Sequence, residues 1–230
     1  REPEIVQLCD ALNTMGANIN GISTDKIIIE GVEELQSADL DVIPDRIEAG
    51  TYLIAGAAMG EITLNYCNPN HLDVLIEKLI QAGAIIATSE NSISIKKANP
   101  INPVDVTTEV YPGFPTDLQA QWIALMAIAS GSSVVTDTVY HDRFTHIPEL
   151  NRLGANIELR DNIAKINGVD HLIGAPVMST DIRASAALIL GAIMARGQTD
   201  ISRIYHIDRG YELIEKKFQA LGVDIVRKND

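Results

Sequence analysis

Three stretches of this chain read as capped, Ala-rich apolar helices, the last two apolar on almost every face. They lie at 45–59, at 118–129 (Leu-Gln-Ala-Gln-Trp-Ile-Ala-Leu-Met-Ala-Ile-Ala) and at 184–195. A helix that is apolar all round has no side to give to water and must be buried. Each is followed by a helix of the opposite kind. In the first pair Leu72, Leu75, Ile76, Leu79 and Ile80 fall on one stripe, with Glu77, Lys78 and Gln81 opposite. In the last pair Glu215, Lys216 and Lys217 mark the wet face. These second helices close at Ala82-Gly83-Ala84, Leu153-Gly154-Ala155 and Leu221-Gly222-Val223, and Met15-Gly16-Ala17 repeats the pattern earlier. Glycine past the last helical residue supplies the left-handed turn that ends a helix. Successive glycines are 67, 71 and 68 residues apart. A period this long marks whole folding units, not turns of a solenoid.

The middle of the chain gives the order of elements within a unit. A strand at 39–43 ends at Pro44, a helix covers 45–59, and a strand covers 61–66. Asn70 is placed to cap the amphipathic helix, and 84–88 and 92–95 form a hairpin around Glu90-Asn91. The order is strand, helix, strand, helix, strand, strand. It returns with a strand at 104–109, helices at 116–130 and 146–154, and a hairpin at 155–166. The last unit has a strand near 175–178, helices at 180–196 and 208–221, and one strand at 223–226. It lacks a closing strand, so that strand is expected to present an open edge through which chains could associate. Residues 1–37 read as the back half of a further unit, and 38–98, 104–168 and 175–230 as a three-unit domain. Buried first helices and wetted second helices require the sheets to wrap the helices. The expected fold is α/β, three similar units around a pseudo-threefold axis with helices inside and sheets outside.

Composition narrows the function. The formal net charge of -13 opposes nucleic acid or an anionic membrane surface as the main partner. It leaves room for a small anionic ligand held by local arginines. Cys9 and Cys67 stand far apart and in no metal-binding spacing, which fits a reduced, cytoplasmic protein. The longest apolar run, 184–195, has 12 residues and is too short to span a bilayer. The chain opens at Arg1-Glu2-Pro3 without Met, and with its half-units this reads as a piece of a longer series.

Carboxylate and guanidinium groups recur where the apolar helices begin: Asp45-Arg46, Thr116-Asp117 and Asp181-Ile182-Arg183. Helix starts are where anions are most easily held. Each such pair also has a plain reading, an N-cap with a solvated ion pair worth at most about 1 kcal/mol. The motifs around them are more specific. Phe114-Pro115-Thr116-Asp117-Leu118-Gln119-Ala120-Gln121, Thr180-Asp181-Ile182-Arg183-Ala184-Ser185-Ala186 and Ile204-Tyr205-His206-Ile207-Asp208-Arg209-Gly210-Tyr211-Glu212 closely resemble those of the enolpyruvyl transferases. Pro44-Asp45-Arg46-Ile47-Glu48 and Asp142-Arg143-Phe144 fit the same pattern, in register along the whole chain.

That resemblance implies an inside-out α/β barrel, one of two domains facing a cleft, and the family's branch that acts on a sugar nucleotide. The implied reaction moves enolpyruvate from phosphoenolpyruvate to the 3-hydroxyl of UDP-N-acetylglucosamine and releases phosphate, toward peptidoglycan, with neither metal nor organic cofactor. Asp117 resembles the residue touching that hydroxyl and is the implied base. Arg209 resembles the residue that holds phosphoenolpyruvate, and Arg143 and Arg183 resemble cleft-lining residues, with Asp181 orienting Arg183. Val139 resembles a backbone contact to the nucleotide sugar, and Asp45-Arg46 a linker pair acting in domain closure. The family's N-terminal lysine-asparagine pair and its loop cysteine or aspartate match nothing here, so this chain alone is expected to be inactive. Two other readings stand beside this one: the shikimate-pathway transferase of the same fold, and a non-catalytic binding module. His146 and His206 read as packed or exposed histidines, and Trp122 as core.

Overall fold

The computed structural model describes residues 1–97 and 99–228. The predicted unit limits at Ala98 and Asp230 lie outside the described residues. Helix α1 (Pro3–Thr14) is followed by the antiparallel pair β1 (Asn18–Asn20) and β2 (Ile28–Glu30). Next come α2 (Arg46–Met59), β3 (Glu61–Asn65), α3 (Asp73–Gln81), β4 (Ile85–Thr88) and β5 (Ser92–Lys96). Their sheet runs β3-β5-β4. After them lie β6 (Val106–Thr108), α4 (Gln119–Met126), β7 (Ser132–Asp137), α5 (Ile147–Arg152), β8 (Asn156–Arg160) and β9 (Ile163–Asn167), in sheet order β6-β7-β9-β8. The last elements are β10 (Leu172–Ile173), β11 (Pro176–Met178), α6 (Ile182–Met194), β12 (Ala195–Arg196), β13 (Asp200–Ser202) and α7 (Ile214–Ala220). There β10 pairs with β12 and β11 with β13, both parallel.

The three apolar helices α2, α4 and α6 pack on one another. Every residue of α4 is buried, as are Gly50–Ala58 of α2 and Ala184–Gly191 of α6. The sheets lie outside them: β3 and β5 cover α2, β7 and β9 cover α4, and β10 covers α6. Trp122 is fully buried, donates from its indole N–H to the Val104 carbonyl at 3.3 Å, and meets the Phe114 ring edge-on at 5.6 Å. It is core, as its helical spacing implied.

The helix ends reproduce the repeat atom by atom. Gly16, Gly83, Gly154 and Gly222 sit at φ of +100°, +100°, +89° and +89°. At each, the following N–H donates back to a carbonyl five residues earlier: Ala17 to Leu12, Ala84 to Leu79, Ala155 to Leu150 and Val223 to Phe218. A second device recurs. The Asn13 amide takes both the N–H and the carbonyl of Ile19, and the Asn151 amide does the same to Ile157. At the equivalent place Gln219 donates to the Ile225 carbonyl. One side chain thus ties the outgoing chain to the helix that precedes it.

Several expectations fail, each for a physical reason. Residues 39–43 form no strand: the Gln7 side chain of α1 donates to the Asp41 carbonyl at 2.7 Å and accepts from the Ile43 N–H at 3.1 Å. One amide therefore takes groups that a neighbouring strand would have used. Residues 223–226 form no strand either, so the expected open edge is not built. Their contacts run instead to Gln219 and, through Arg227, to Asp208 and Glu215. Asn70 is not the cap of α3; Asn68 accepts the Asn70 N–H and caps a 3₁₀ turn at Pro69–His71 that precedes that helix. On the predicted stripe Leu72, Leu75 and Leu79 are buried, but Ile80 is exposed. The helix expected over 116–130 divides into a 3₁₀ turn (Thr116–Leu118) and α4. That expected over 208–221 is broken by Gly210 and a left-handed Leu213, leaving a 3₁₀ turn (Ile204–Arg209) and α7.

Candidate active site

Pro115 ends an extended segment and turns the chain into the 3₁₀ turn that leads α4, which sets Thr116 and Asp117 at the start of a buried helix. The Asp117 carboxylate is the meeting point of two arginines. Arg143 Nη1 donates to Asp117 Oδ1 at 2.8 Å, and Arg183 Nε donates to the same oxygen at 2.5 Å. Among the described residues no group donates to Asp117 Oδ2. Arg143 comes from the loop after β7, where its guanidinium lies 4.4 Å from the Tyr140 ring centre, and Arg183 from the first turn of α6. The bonds that fix both cations are charge-assisted and among the stronger kinds a protein makes.

Asp181 caps α6, accepting from the backbone N–H of Arg183 at 2.8 Å and of Ala184 at 3.1 Å, and from Thr145 Oγ1 at 3.0 Å. Burial alone would raise its pKa. The Ala184 N–H, the Thr145 hydroxyl and Arg183 overcome that and lower it. Its bond to Arg183 is through the backbone, so the expected side-chain steering is indirect: Asp181 fixes the helix turn from which Arg183 reaches Asp117.

A cavity of about 160 Å³ opens beside this cluster, lined by Asp45, Ile47, Asp117, Ile182, Arg183, Gly210 and Tyr211. Asp45 lines it while capping α2 through the N–H groups of Ile47 and Glu48. At its wall the Tyr211 hydroxyl meets Thr51 Oγ1 at 2.8 Å and receives Gln121 Nε2 at 3.4 Å. Burial pushes the Tyr211 phenol up to about 12, against hydrogen bonds from Thr51 and Gln121 that lower it. Tyr211 therefore keeps its proton at neutral pH. A larger groove of about 540 Å³ lies along α1, lined by residues such as Val6, Leu40 and Ile43, and excludes Asp117 and its arginines.

Other expected site residues fall less tightly together. Arg209 ends the 3₁₀ turn next to Gly210 of the cavity wall, is exposed, and makes no ion pair among the described residues. Its neighbour Asp208 pairs with Arg227 at 2.7 Å, not with Arg209. Arg46 turns away from the cavity to Glu4 at 2.8 Å and stands 5.4 Å from the Tyr111 ring centre, which ties α1 to the start of α2. Val139 is exposed on the loop after β7, and its N–H is taken by Asp137. His146 is buried, and burial lowers its pKa to about 4. His206 packs against the Tyr205 ring at 4.3 Å. Cys9 and Cys67 are buried and unpaired with each other.

Sequence reasoning passed over Asp137, whose carboxylate is fully buried and accepts from Thr108 Oγ1, Thr116 Oγ1 and the N–H groups of Val139 and Tyr140. Burial opposes its ionisation, but those hydrogen bonds prevail and its pKa is lowered. A signal existed. In Ser132–Asp137 alternate residues Ser133, Val135 and Asp137 face inward, so the strand period places an acid inside.

The chain is similar to known proteins over its whole length. A family model described as EPSP synthase (3-phosphoshikimate 1-carboxyvinyltransferase) matches residues 1–218. The UDP-N-acetylglucosamine 1-carboxyvinyltransferase of Hydrogenovibrio crunogenus is 51% identical over 231 residues, which cover 100% of this chain and 55% of that protein. The protein of the same name from Chlorobium chlorochromatii is 52% identical over 228 residues, 99% of this chain and 54% of the relative. The chain thus spans about half the length of the relatives it matches. Among solved structures, the enolpyruvyl transferase NikO from Streptomyces tendae superposes with a TM-score of 0.86 at 26% identity, covering 97% of this chain and 54% of that one. EPSP synthase from Acinetobacter baumannii shares the fold at TM-score 0.72 and 18% identity, over 95% of this chain and 54% of that one. With the match over residues 1–218 and the shared fold, the chain belongs to the EPSP synthase family of enolpyruvyl transferases.

Proposed function

We propose that the protein carrying this chain transfers enolpyruvate from phosphoenolpyruvate to the 3-hydroxyl of UDP-N-acetylglucosamine with release of phosphate, an early step toward peptidoglycan in the cytoplasm. The observation that supports this most is the Asp117 carboxylate held by Arg143 and Arg183 at the mouth of a cavity. In the first step the sugar oxygen bonds to C2 of phosphoenolpyruvate, its proton leaves, and C3 gains a proton. In the second C3 loses a proton and the C2–O bond to phosphate breaks. Asp117 accepts the hydroxyl proton through Oδ2, since Oδ1 already takes two guanidiniums. Arg209, exposed beside the cavity wall, pairs with phosphoenolpyruvate. Arg143 and Arg183 compensate the remaining anionic charge, a task suited to a planar fork of donors. Because Asp137 takes the Val139 N–H, Val139 meets the nucleotide sugar through its carbonyl.

The names of the relatives at about half identity favour UDP-N-acetylglucosamine over shikimate 3-phosphate as acceptor. Calorimetric titration of the complete protein with each compound separates the two: heat with shikimate 3-phosphate alone would overturn the acceptor assigned here. Closure of the site belongs to the same reading, with Asp45 and Arg46 at the junction of the half-unit and the body. Residues 223–226, with Val226 two-thirds exposed, become a strand when another segment supplies a partner edge.

A further inference from the structure

Asp137 is a fully buried acid that makes no ion pair among the described residues. A bare carboxylate in such a place costs several kcal/mol unless hydrogen bonds replace water. Four donors do so here. Thr108 Oγ1 (2.7 Å) and the N–H groups of Val139 (3.0 Å) and Tyr140 (2.8 Å) reach Oδ1, and Thr116 Oγ1 (2.6 Å) reaches Oδ2. A carboxylate only accepts, so the Thr116 hydroxyl must point its proton at Asp137. That leaves the Thr116 oxygen as an acceptor facing the other way, where Arg143 Nη1 meets it at 3.2 Å. The same nitrogen donates to Asp117 Oδ1. Tyr140, whose N–H Asp137 fixes, supplies the ring under that guanidinium. The aim of Arg143 and the backbone of Val139 thus both trace to one carboxylate.

We propose that Asp137 is a positioning residue of the enolpyruvyl-transfer site, acting through the Thr116 hydroxyl to aim Arg143 at Asp117. This rests on the function proposed above. Thr108 provides the control for the Arg143 arm: it donates to the same carboxylate from β6 and accepts the Thr138 N–H at 3.1 Å, but makes no hydrogen bond to Arg143. A carboxylate that merely held the fold would treat the two threonines alike.

The test is steady-state phosphate release and thermal unfolding of the complete protein carrying Thr116→Val, Thr116→Ser, Thr108→Val, Asp137→Asn and the Thr116→Val/Asp137→Asn double change. Thr116→Val should lower kcat/KM by about 10- to 100-fold, and Thr116→Ser should stay within about threefold of wild type. Thr108→Val should lower Tm as Thr116→Val does, with kcat/KM within about threefold. The double variant should lose little more activity than Asp137→Asn alone, since both changes cut one path. Wild-type kinetics in Thr116→Val, or equal kinetic losses in the two valine variants, would overturn the proposal. If Asp137→Asn fails to fold, the threonine variants still decide. Asp117→Ala separates the two levels of inference. An active Asp117→Ala would overturn the proposed function, whereas an inactive one beside an unaffected Thr116→Val overturns only the role of Asp137.

Discussion

At the scale of single residues, Asp117 has one carboxylate oxygen taken by two guanidiniums and another with no donor among the described residues. If that second oxygen takes the substrate proton, Asp117→Ala in the complete protein lowers kcat by about 10²- to 10⁴-fold, read as phosphate release. His146 gives a prediction that does not depend on the reaction. Its folded pKa of about 4 lies below the ordinary 6.5, so the unfolded chain binds the proton first as pH falls. Stability from this residue is complete above pH 6.5 and drains by about 1.4 kcal/mol per pH unit down to about pH 4. Urea unfolding between those values should therefore show a slope shallower by about one proton in His146→Gln than in wild type. Asp117, Arg143 and Arg183 were legible because long motifs carry them. Asp137 was not singled out, because an acid at a strand end also reads as a turn residue.

At the scale of elements, the helices were readable and the strands less so. A helix apolar on all faces declares itself from local sequence, and α2, α4 and α6 are buried as that implies. A strand depends on a partner distant in the chain. Residues 39–43 and 223–226 have strand-like sequences, but side chains, not strands, take their backbone groups. The glycine repeat was visible, whereas the amide clamp that goes with it was not, since Asn13, Asn151 and Gln219 are an ordinary polar set until their partners six residues on are seen. Replacing Asn151 by Ala removes two hydrogen bonds and leaves the Ile157 backbone groups without them. A loss of about 1–3 kcal/mol in chemical denaturation is expected, with no change in ligand affinity. Gly154→Ala, which forces a side chain into φ +89°, should cost about 1–2 kcal/mol by the same measurement.

At the scale of the molecule, polar ties from α1 to later residues run from Glu4 to Arg46 and from Gln7 to residues 41 and 43. Ile28, Ile29 and Val42 are exposed. The three-unit layout is an expectation from the 67- to 71-residue spacing, since a repeat long enough to fold carries its own pattern of buried and wetted helices. Arg209 is where the layout and the site part company: its motif is present, yet the structure holds it beside the cavity and out of contact with Asp117. The 230-residue chain by itself should release no phosphate from phosphoenolpyruvate, with or without UDP-N-acetylglucosamine, since relatives use nearly twice its length. The most direct measurement is phosphate release by the complete protein with both substrates, beside Asp117→Ala and Arg209→Ala at equal folded concentration. The account predicts release that requires both substrates and falls by at least about 100-fold in each variant. Turnover unchanged by either substitution would contradict it.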